Sequence, residues 1–189
     1  MRNRQGRICI MCLVAAAFML CGCATPEYKL AWNKKFISRL PVMGENNWII
    51  ISDAAYPAER ADGIETIATG KPLTSVLDYV LSNMDKAGHA GATAWISAEL
   101  EKIPDRDAIG IEDTYQEIWR QLNEAKITTK TALEQDILKM IETEGADYKI
   151  LVLKSNTQLP YTTVYLQLDC RYWDETREKR LRDALRTAE

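Results

Sequence analysis

Ser52 and Asp53 come directly after Ile49–Ile51, a continuous β-branched run typical of a strand that is buried on both faces. Such a strand delivers the Asp53 carboxylate to the carboxyl end of a sheet, where ligands usually bind in open α/β proteins. A carboxylate there accepts hydrogen bonds from a ligand's donors. Asp also stabilises turns after strands, so this stretch alone leaves a binding role and a turn role open.

Few other side chains carry distinctive chemistry. His89 is the single histidine and lies in a glycine-flanked turn between a predicted helix and a predicted strand. We interpret it as a solvated loop residue rather than a catalytic one. Cys170 is the one cysteine that follows residue 23, so the sequence predicts no intrachain disulfide framework. One cysteine and one histidine also make no metal site.

The first residues have the pattern of a bacterial lipoprotein signal. Basic residues precede an apolar run from residue 8 to residue 20, which is too short for a good membrane span. Leu20-Cys21-Gly22-Cys23 then resembles a lipobox, with the small Gly22 at the cleavage position. We predict a signal peptide at residues 1–22, lipidation of Cys23 and a tether at residues 23–31. An ordinary secretory signal is the alternative.

These features predict where the chain resides. A lipidated Cys23 anchors a soluble domain to a membrane of the bacterial cell envelope, at the outer membrane or the periplasmic face rather than in the cytoplasm. Removal of the signal peptide takes the formal charge from −3 to −6, because it carries three arginines and no acidic residue. An acidic chain is a poor nucleic-acid binder, and we expect no nucleic-acid partner.

The rest of the chain is long enough for one domain, and its helical and strand patterns alternate. The predicted helices cover residues 32–40, 72–88, 111–125, 131–144 and 174–189. The predicted strands cover residues 49–51, 64–68, 92–98, 127–129, 148–153 and 161–168. This alternation predicts an α/β fold, a three-layer sandwich in which helices flank a mostly parallel sheet.

Three patches of this sequence resemble the D-ribose pyranase and L-fucose mutarotase (RbsD/FucU) family. The first runs from Leu40-Pro41-Val42-Met43-Gly44-Glu45 through the apolar strand to Ser52-Asp53-Ala54 and Pro57. The second is the Gly70-Lys71-Pro72 turn with its following helix, and the third is Tyr161-Thr162-Thr163 with its following strand. The first patch is fairly specific, and the other two are weak alone.

The resemblance implies an RbsD/FucU-like domain at residues 32–173, with the charged helix at 174–189 outside the usual pattern. Proteins of this family interconvert the ring forms of a free monosaccharide without a cofactor. They assemble into rings in which a neighbouring subunit completes each site. The resemblance therefore implies a monosaccharide ligand and a ring-shaped homo-oligomer with sites at its subunit interfaces.

The resemblance carries over to individual residues only in part. Asp53 matches the family's aspartate after the first strand, Tyr161 matches its tyrosine, and Thr163 stands where the family has asparagine. Both family histidines are missing. Glu45 occupies the position of one of them, and Lys130 is the ionisable residue nearest the other. The predicted substrate-binding residues are therefore Asp53, Tyr161, Thr163 and Lys130.

The loss of both imidazoles favours a monosaccharide-binding protein with weak or lost mutarotase activity, since histidine is suited to proton transfer near neutral pH. An active, divergent mutarotase is the first alternative, with Glu45 and Asp53 as its catalytic carboxylate pair. An oligomeric envelope scaffold without a sugar role is the second alternative.

Overall fold

The computed structural model describes residues 31–59 and 61–187. The predicted signal peptide, the lipidation residue Cys23 and the tether up to residue 30 lie outside the described residues. Among the helices of the described part, none is long and apolar enough to cross a membrane.

Six strands form one sheet. They are β1 (Trp48–Ser52), β2 (Ile64–Ala68), β3 (Ala90–Ser97), β4 (Thr128–Ala132), β5 (Ile150–Lys154) and β6 (Val164–Cys170), in the spatial order β2-β5-β1-β6-β3-β4. β5 pairs in parallel with β1 and β2, and β3 pairs in parallel with β4. Only β6 runs antiparallel, to β1 on one side and to β3 on the other.

Helices cover both faces of this sheet, which confirms the predicted three-layer α/β sandwich. The helices are α1 (Trp32–Arg39), α2 (Leu73–Ala87), α3 (Ile111–Glu124), α4 (Glu134–Gly145) and α5 (Glu175–Arg186). α1, α2 and α3 pack on one face, here called the α2 face, against alternate residues such as Ile49 and Ile51. α4 packs on the opposite face, here called the α4 face, against Trp48 and Ile50.

The centre of the sheet is buried on both faces. All five residues of β1 are buried, as the β-branched run predicted. Each fully buried Ile, Leu or Val side chain contributes about 1.5–3 kcal/mol through removal of apolar surface from water. In the neighbouring strand β6, Tyr165 is completely buried as well. The reason is its central position between β1 and β3, under α4.

The boundary between β4 and α4 differs from the prediction. The strand extends through Ala132 and the helix begins at Glu134, whereas the sequence pattern placed the helix start at Thr131. Pairing of β4 with β3 in the register Thr131↔Ile96 and Ala132↔Ser97 holds these residues in the extended conformation. Long-range pairing therefore overrides the local helical pattern.

His89 is not the solvated loop residue that the sequence suggested. Gly88 ends α2 in the left-handed conformation (φ 70°), and the half-buried His89 follows it. Its Nε2 donates a hydrogen bond of 2.9 Å to the carbonyl of Met43. The imidazole thus joins the turn after α2 to the loop that precedes β1, which is a structural role.

The C-terminal charged helix forms as predicted and stands apart from the core. The Asp174 carboxylate accepts a 2.8 Å hydrogen bond from the Arg177 N–H and caps the first turn of α5. No residue of α5 is buried, and the apolar side chains of Leu181 and Leu185 remain 43% and 55% exposed.

Candidate functional site

Polar side chains gather where the parallel strands end and the antiparallel strand begins. This edge of the sheet, called here the carboxyl edge, carries Asp53 after β1, Glu99 just past β3, Glu134 just past β4 and Thr163 just before β6. The order of the strands brings the ends of β1 and β3 to either side of the start of β6. This is the place where open α/β sheets bind ligands.

Asp53 and Thr163 form a hydrogen-bonded pair. The Thr163 hydroxyl donates to Asp53 Oδ2 at 3.2 Å, and the same hydroxyl oxygen accepts from the Asp53 backbone N–H at 3.4 Å. Asp53 Oδ1 accepts from the N–H groups of Ala55 (2.6 Å) and Tyr56 (3.1 Å), which makes an Asx turn. Asp53 therefore has the turn role left open by the sequence. Its Oδ2 also keeps lone-pair capacity for a ligand donor.

Tyr161 lies in a strained turn at the same edge. Its φ of +58° is unusual for a bulky residue. The fully buried Thr162 next to it donates its hydroxyl to the carbonyl of Leu159 at 2.9 Å and stabilises this turn. The Tyr161 side chain itself remains 36% exposed. Strained backbone that the surrounding structure maintains is a feature of ligand sites.

Glu45 does not reach Asp53 within one chain. It precedes β1 and Asp53 follows it, so the strand separates them by roughly 16 Å at about 3.3 Å per residue. Glu45 lies instead near Asp169, whose carboxyl pKa is raised by burial and by the Glu45 charge. The expected carboxylate pair of Glu45 and Asp53 is therefore not formed within the described chain.

Lys130 is also remote from Asp53. It lies on the edge strand β4, with its ammonium 5.1 Å from the centroid of the Trp95 ring. Two strands, β3 and β6, separate β4 from β1, which places Lys130 about 14 Å away across the sheet. The structure thus brings together Asp53 and Thr163, with Tyr161 two residues away in the chain, but neither Glu45 nor Lys130.

Glu134 and Tyr165 form a second polar pair at the carboxyl edge, which the sequence analysis missed. The hydroxyl of the fully buried Tyr165 donates to Glu134 Oε1 at 3.1 Å. Burial raises the Glu134 pKa, and the charges of Glu99 and Asp53 raise it further, against the opposing effect of the Tyr165 hydrogen bond. Glu134 is thus a carboxyl group with an increased tendency to hold a proton.

Glu99 supports this pair from the end of β3. Both of its carboxylate oxygens accept from the Glu134 backbone N–H, at 3.2 and 3.1 Å, at the start of α4. Glu99 lies two residues past the end of β3, as Asp53 lies one residue past β1, so the rule that identified Asp53 applies to it as well. Glu134 was overlooked because the predicted helix began before it.

A cavity of about 700 Å³ opens beside these residues on the α4 face. Asp53, Tyr56, Glu134 and Tyr165 line it, together with apolar side chains of α4 such as Ile141. Burial is the main cause that raises the pKa of both tyrosines, which therefore remain protonated hydrogen-bonding groups. This cavity, called the α4 cavity below, has the size and the mixed lining of a small-molecule site.

A larger space of about 1550 Å³ lies elsewhere, beneath α5 and beyond the opposite edge of the sheet. It is the open gap between this exposed helix and the domain, and it contains Glu45 and Asp169. We place the candidate site in the α4 cavity because the hydrogen-bonded acid pairs lie there. Among the described residues, no group of three or more His, Cys, Asp or Glu side chains is arranged to hold a metal ion.

The structure of Bacillus subtilis RbsD complexed with D-ribose matches this architecture. The match covers 71% of this chain and 91% of that chain, with a TM-score of 0.51 and 14% sequence identity. This chain has an RbsD-like fold. The fucose mutarotase of Streptococcus pneumoniae, in complex with L-fucose, matches with a TM-score of 0.46 and 17% identity over 75% of this chain and 97% of that one. No protein-family model and no curated protein sequence matches the chain.

In this RbsD-like fold, the raised pKa of Glu134 gives a testable dependence of stability on pH. The folded state holds the Glu134 proton more tightly than the unfolded state, whose carboxyl has the ordinary value of 4.5. The contribution to stability is therefore present below this value and is lost as pH rises through the raised folded value. The variant Glu134→Gln has no titratable carboxyl at this position, so it does not lose this stability as pH rises.

We therefore expect Glu134→Gln to gain stability over the wild type progressively as pH rises through that window, with the smallest difference at low pH. Urea unfolding of both proteins over a pH series measures this. A difference that shrinks with rising pH would contradict the assignment.

Proposed function

We propose that this chain binds a monosaccharide at the carboxyl edge, with weak or no ring-opening activity, and that it acts as a lipoprotein of the bacterial cell envelope. The hydrogen-bonded pair of Asp53 and Thr163 beside the α4 cavity, in an RbsD-like fold, carries this proposal. The RbsD structure of that fold contains D-ribose, which supports a sugar as the class of ligand.

The polar groups of the site suit the hydroxyls of a sugar, which both donate and accept hydrogen bonds. Asp53 Oδ2 and the Glu134 carboxyl accept from them, and the Tyr56 hydroxyl donates. Tyr161 does not line the α4 cavity, but its ring is 36% exposed near the same edge and is available to pack on the apolar face of a sugar ring that extends beyond the cavity. Apolar side chains of α4 line the remaining wall.

An active mutarotase is the second candidate, and the environment of Glu134 favours it. Ring opening needs one group that takes the proton of the anomeric hydroxyl and another that gives a proton to the ring oxygen. Glu134, with its raised pKa, is suited to give a proton, while the Asp53 carboxylate takes one. This pair lies within one chain and replaces the expected pair of Glu45 and Asp53.

A ring-shaped homo-oligomer with sites at its subunit interfaces remains part of the proposal. In such a ring, Glu45 or Lys130 of a neighbouring copy approaches Asp53, although neither lies near Asp53 within one chain. Sedimentation velocity at micromolar protein checks the assembly, and a clean monomer would limit the site to Asp53, Thr163, Tyr161 and the residues of the α4 cavity.

The lipid anchor is tested at Cys23. We expect metabolic palmitate labelling of the wild-type chain and release of the Cys23→Ser variant from membranes, because acylation of that thiol supplies the attachment. Cys170→Ser is the matched control and should leave labelling unchanged. Labelling that persists in Cys23→Ser would rule out this anchor.

The deciding experiment for the function is NMR exchange between the ring forms of ribose, fucose and a panel of other sugars, with and without protein. Binding without turnover predicts shifted or broadened sugar signals at unchanged exchange rates. Faster exchange that Glu134→Gln abolishes would establish the mutarotase instead. Absence of binding at millimolar sugar would refute both sugar functions and favour an envelope scaffold.

A further inference from the structure

The α4 cavity is lined by acidic side chains that have no basic partner among the described residues. These side chains are Asp53, Glu59, Asp62, Glu134 and Glu142. Asp53 and Glu134 are half-buried, and the other three are exposed at its rim. The ion pairs of the described chain involve none of the five. Within the described residues, the cavity thus has two half-buried and three exposed carboxylates and no ion pair to any of them.

A basic side chain near this region is already engaged. The Lys154 ammonium donates to the backbone carbonyl of Tyr56 at 2.6 Å and does not line the cavity. The described residues that line the cavity therefore offer carboxylates, tyrosine hydroxyls and apolar groups, and no lysine or arginine.

Tyr56 supplies an independent indication of a ligand position in the cavity. Its side chain lines the cavity and only 6% of the residue is exposed, yet its hydroxyl has no hydrogen-bond partner in the described chain. Burial is the main cause that raises the Tyr56 pKa, and Glu59 raises it further through its charge and a contact with the hydroxyl, although this contact falls outside hydrogen-bond geometry. Buried polar groups are normally satisfied, so an orphaned hydroxyl facing a cavity indicates a polar ligand.

Two further buried hydroxyls at the same end of the α4 face lack partners. They belong to Ser52, the last residue of β1, and Ser97, the last residue of β3. Both precede an acid of the carboxyl edge, within one or two residues. Neither of them lines the α4 cavity, so Tyr56 is the residue with an unpartnered hydroxyl among its described lining residues.

We infer that the α4 cavity selects monosaccharides that carry a protonated amine over neutral monosaccharides. This inference rests on the proposed sugar-binding function and defines its ligand class. An ammonium group has three donors and no acceptor, which matches a wall of carboxylates and a hydroxyl with free lone pairs. The sugar hydroxyls then use Asp53, which lines the cavity, while the buried Thr163 holds that carboxylate in place.

The charge balance explains the preference. A neutral sugar excludes water from Asp53 and Glu134 and leaves their mutual repulsion in place. A ligand ammonium compensates that charge where water is excluded, and the exposed carboxylates at the rim attract a cation from solution. Hydrogen bonds to charged partners of this kind correspond to roughly a tenfold to hundredfold gain in affinity.

The test is calorimetric titration of the full chain with four probes just below neutral pH, where the amines are mostly protonated. D-glucosamine has both the sugar ring and the ammonium, D-glucose and N-acetyl-D-glucosamine have the ring without the charge, and 1,4-diaminobutane has the charge without the ring. We expect D-glucosamine to bind at least about tenfold more tightly than the other three, with an affinity that falls as salt is added.

Variants separate a ligand contact from a structural role. Tyr56→Phe should weaken D-glucosamine binding without loss of stability, because the hydroxyl has no partner to lose. Asp136→Asn removes an acid of α4 that pairs with Lys139 and does not line the cavity, so it should change nothing. Arg60 adjoins Glu59 in the sequence, and Arg60→Gln should leave the preference for the amine intact or increase it. A reduced preference in Arg60→Gln would count against the inference.

The outcomes distinguish the two proposals. Equal affinity for D-glucose and D-glucosamine overturns the amine preference and leaves the sugar-binding function standing. Binding of 1,4-diaminobutane alone overturns both, since the ring is then not recognised. Absence of binding by all four probes also overturns both.

Discussion

The variant Asp53→Ala is expected to lose sugar binding to below detection at millimolar sugar. The change removes the Oδ2 acceptor at the carboxyl edge and the partner of the Thr163 hydroxyl. It also removes both hydrogen bonds of the Asx turn, so the segment that contains Tyr56 loses its anchor. Ligand-observed NMR measures binding, and urea unfolding measures a further stability loss of about 1–3 kcal/mol.

Asp53→Asn is the matched control for the turn. Its side-chain carbonyl keeps an acceptor for the N–H groups of Ala55 and Tyr56, so stability should stay close to that of the wild type while the negative charge disappears. A sugar affinity in Asp53→Ala equal to that of the wild type would show that Asp53 has the turn role alone.

Replacement of Trp48 by alanine is expected to produce the largest loss of stability in the chain. Trp48 is completely buried in the central strand β1, and its indole N–H donates to Glu144 Oε2 at 2.7 Å. Large-to-small substitutions of buried aromatic residues cost about 3–5 kcal/mol, and the cavity opens between the sheet and α4. The free energy of unfolding in urea, followed by circular dichroism, measures this loss.

Two variants control for the Trp48 result. Trp173 also donates its indole N–H to a glutamate, Glu178, but it is 43% exposed. Because little of its surface is buried, Trp173→Ala should change the free energy of unfolding by no more than about 0.5–1 kcal/mol. Trp48→Phe keeps most of the buried ring volume and loses the bond to Glu144, and its cost should lie between those of the two alanine variants. A loss in Trp48→Ala no larger than in Trp173→Ala would contradict the position of Trp48 in the core.

Local sequence features determined several elements without help from the rest of the chain. The Ile49–Ile51 run predicted the buried strand β1, and alternation at Ile64–Ala68 predicted β2 with the bounds that the structure has. The apolar spacing after Pro72 predicted α2, which Gly88 ends in the left-handed conformation. These predictions succeeded because burial periodicity and backbone preference are properties of a few consecutive residues.

Some residues of the candidate site could be predicted from local sequence, and others depended on the fold. Asp53 was identified from its place after a strand, which is a local property. The distance between Glu45 and Asp53 could not be predicted from local sequence, because it depends on how β1 crosses the sheet. The strand places the two residues at opposite edges of the sheet.

Only the tertiary structure decided which strands are neighbours, and therefore which side chains meet. β6 enters the sheet between β1 and β3 in the antiparallel direction, and this brings Tyr165 against Glu134 and Thr163 against Asp53. Pairing of β4 with β3 extends the strand to Ala132 and moves the start of α4 to Glu134. The reason is physical: sequence spacing specifies the face of a residue within its own strand, whereas its neighbours across the sheet depend on the packing of the whole chain.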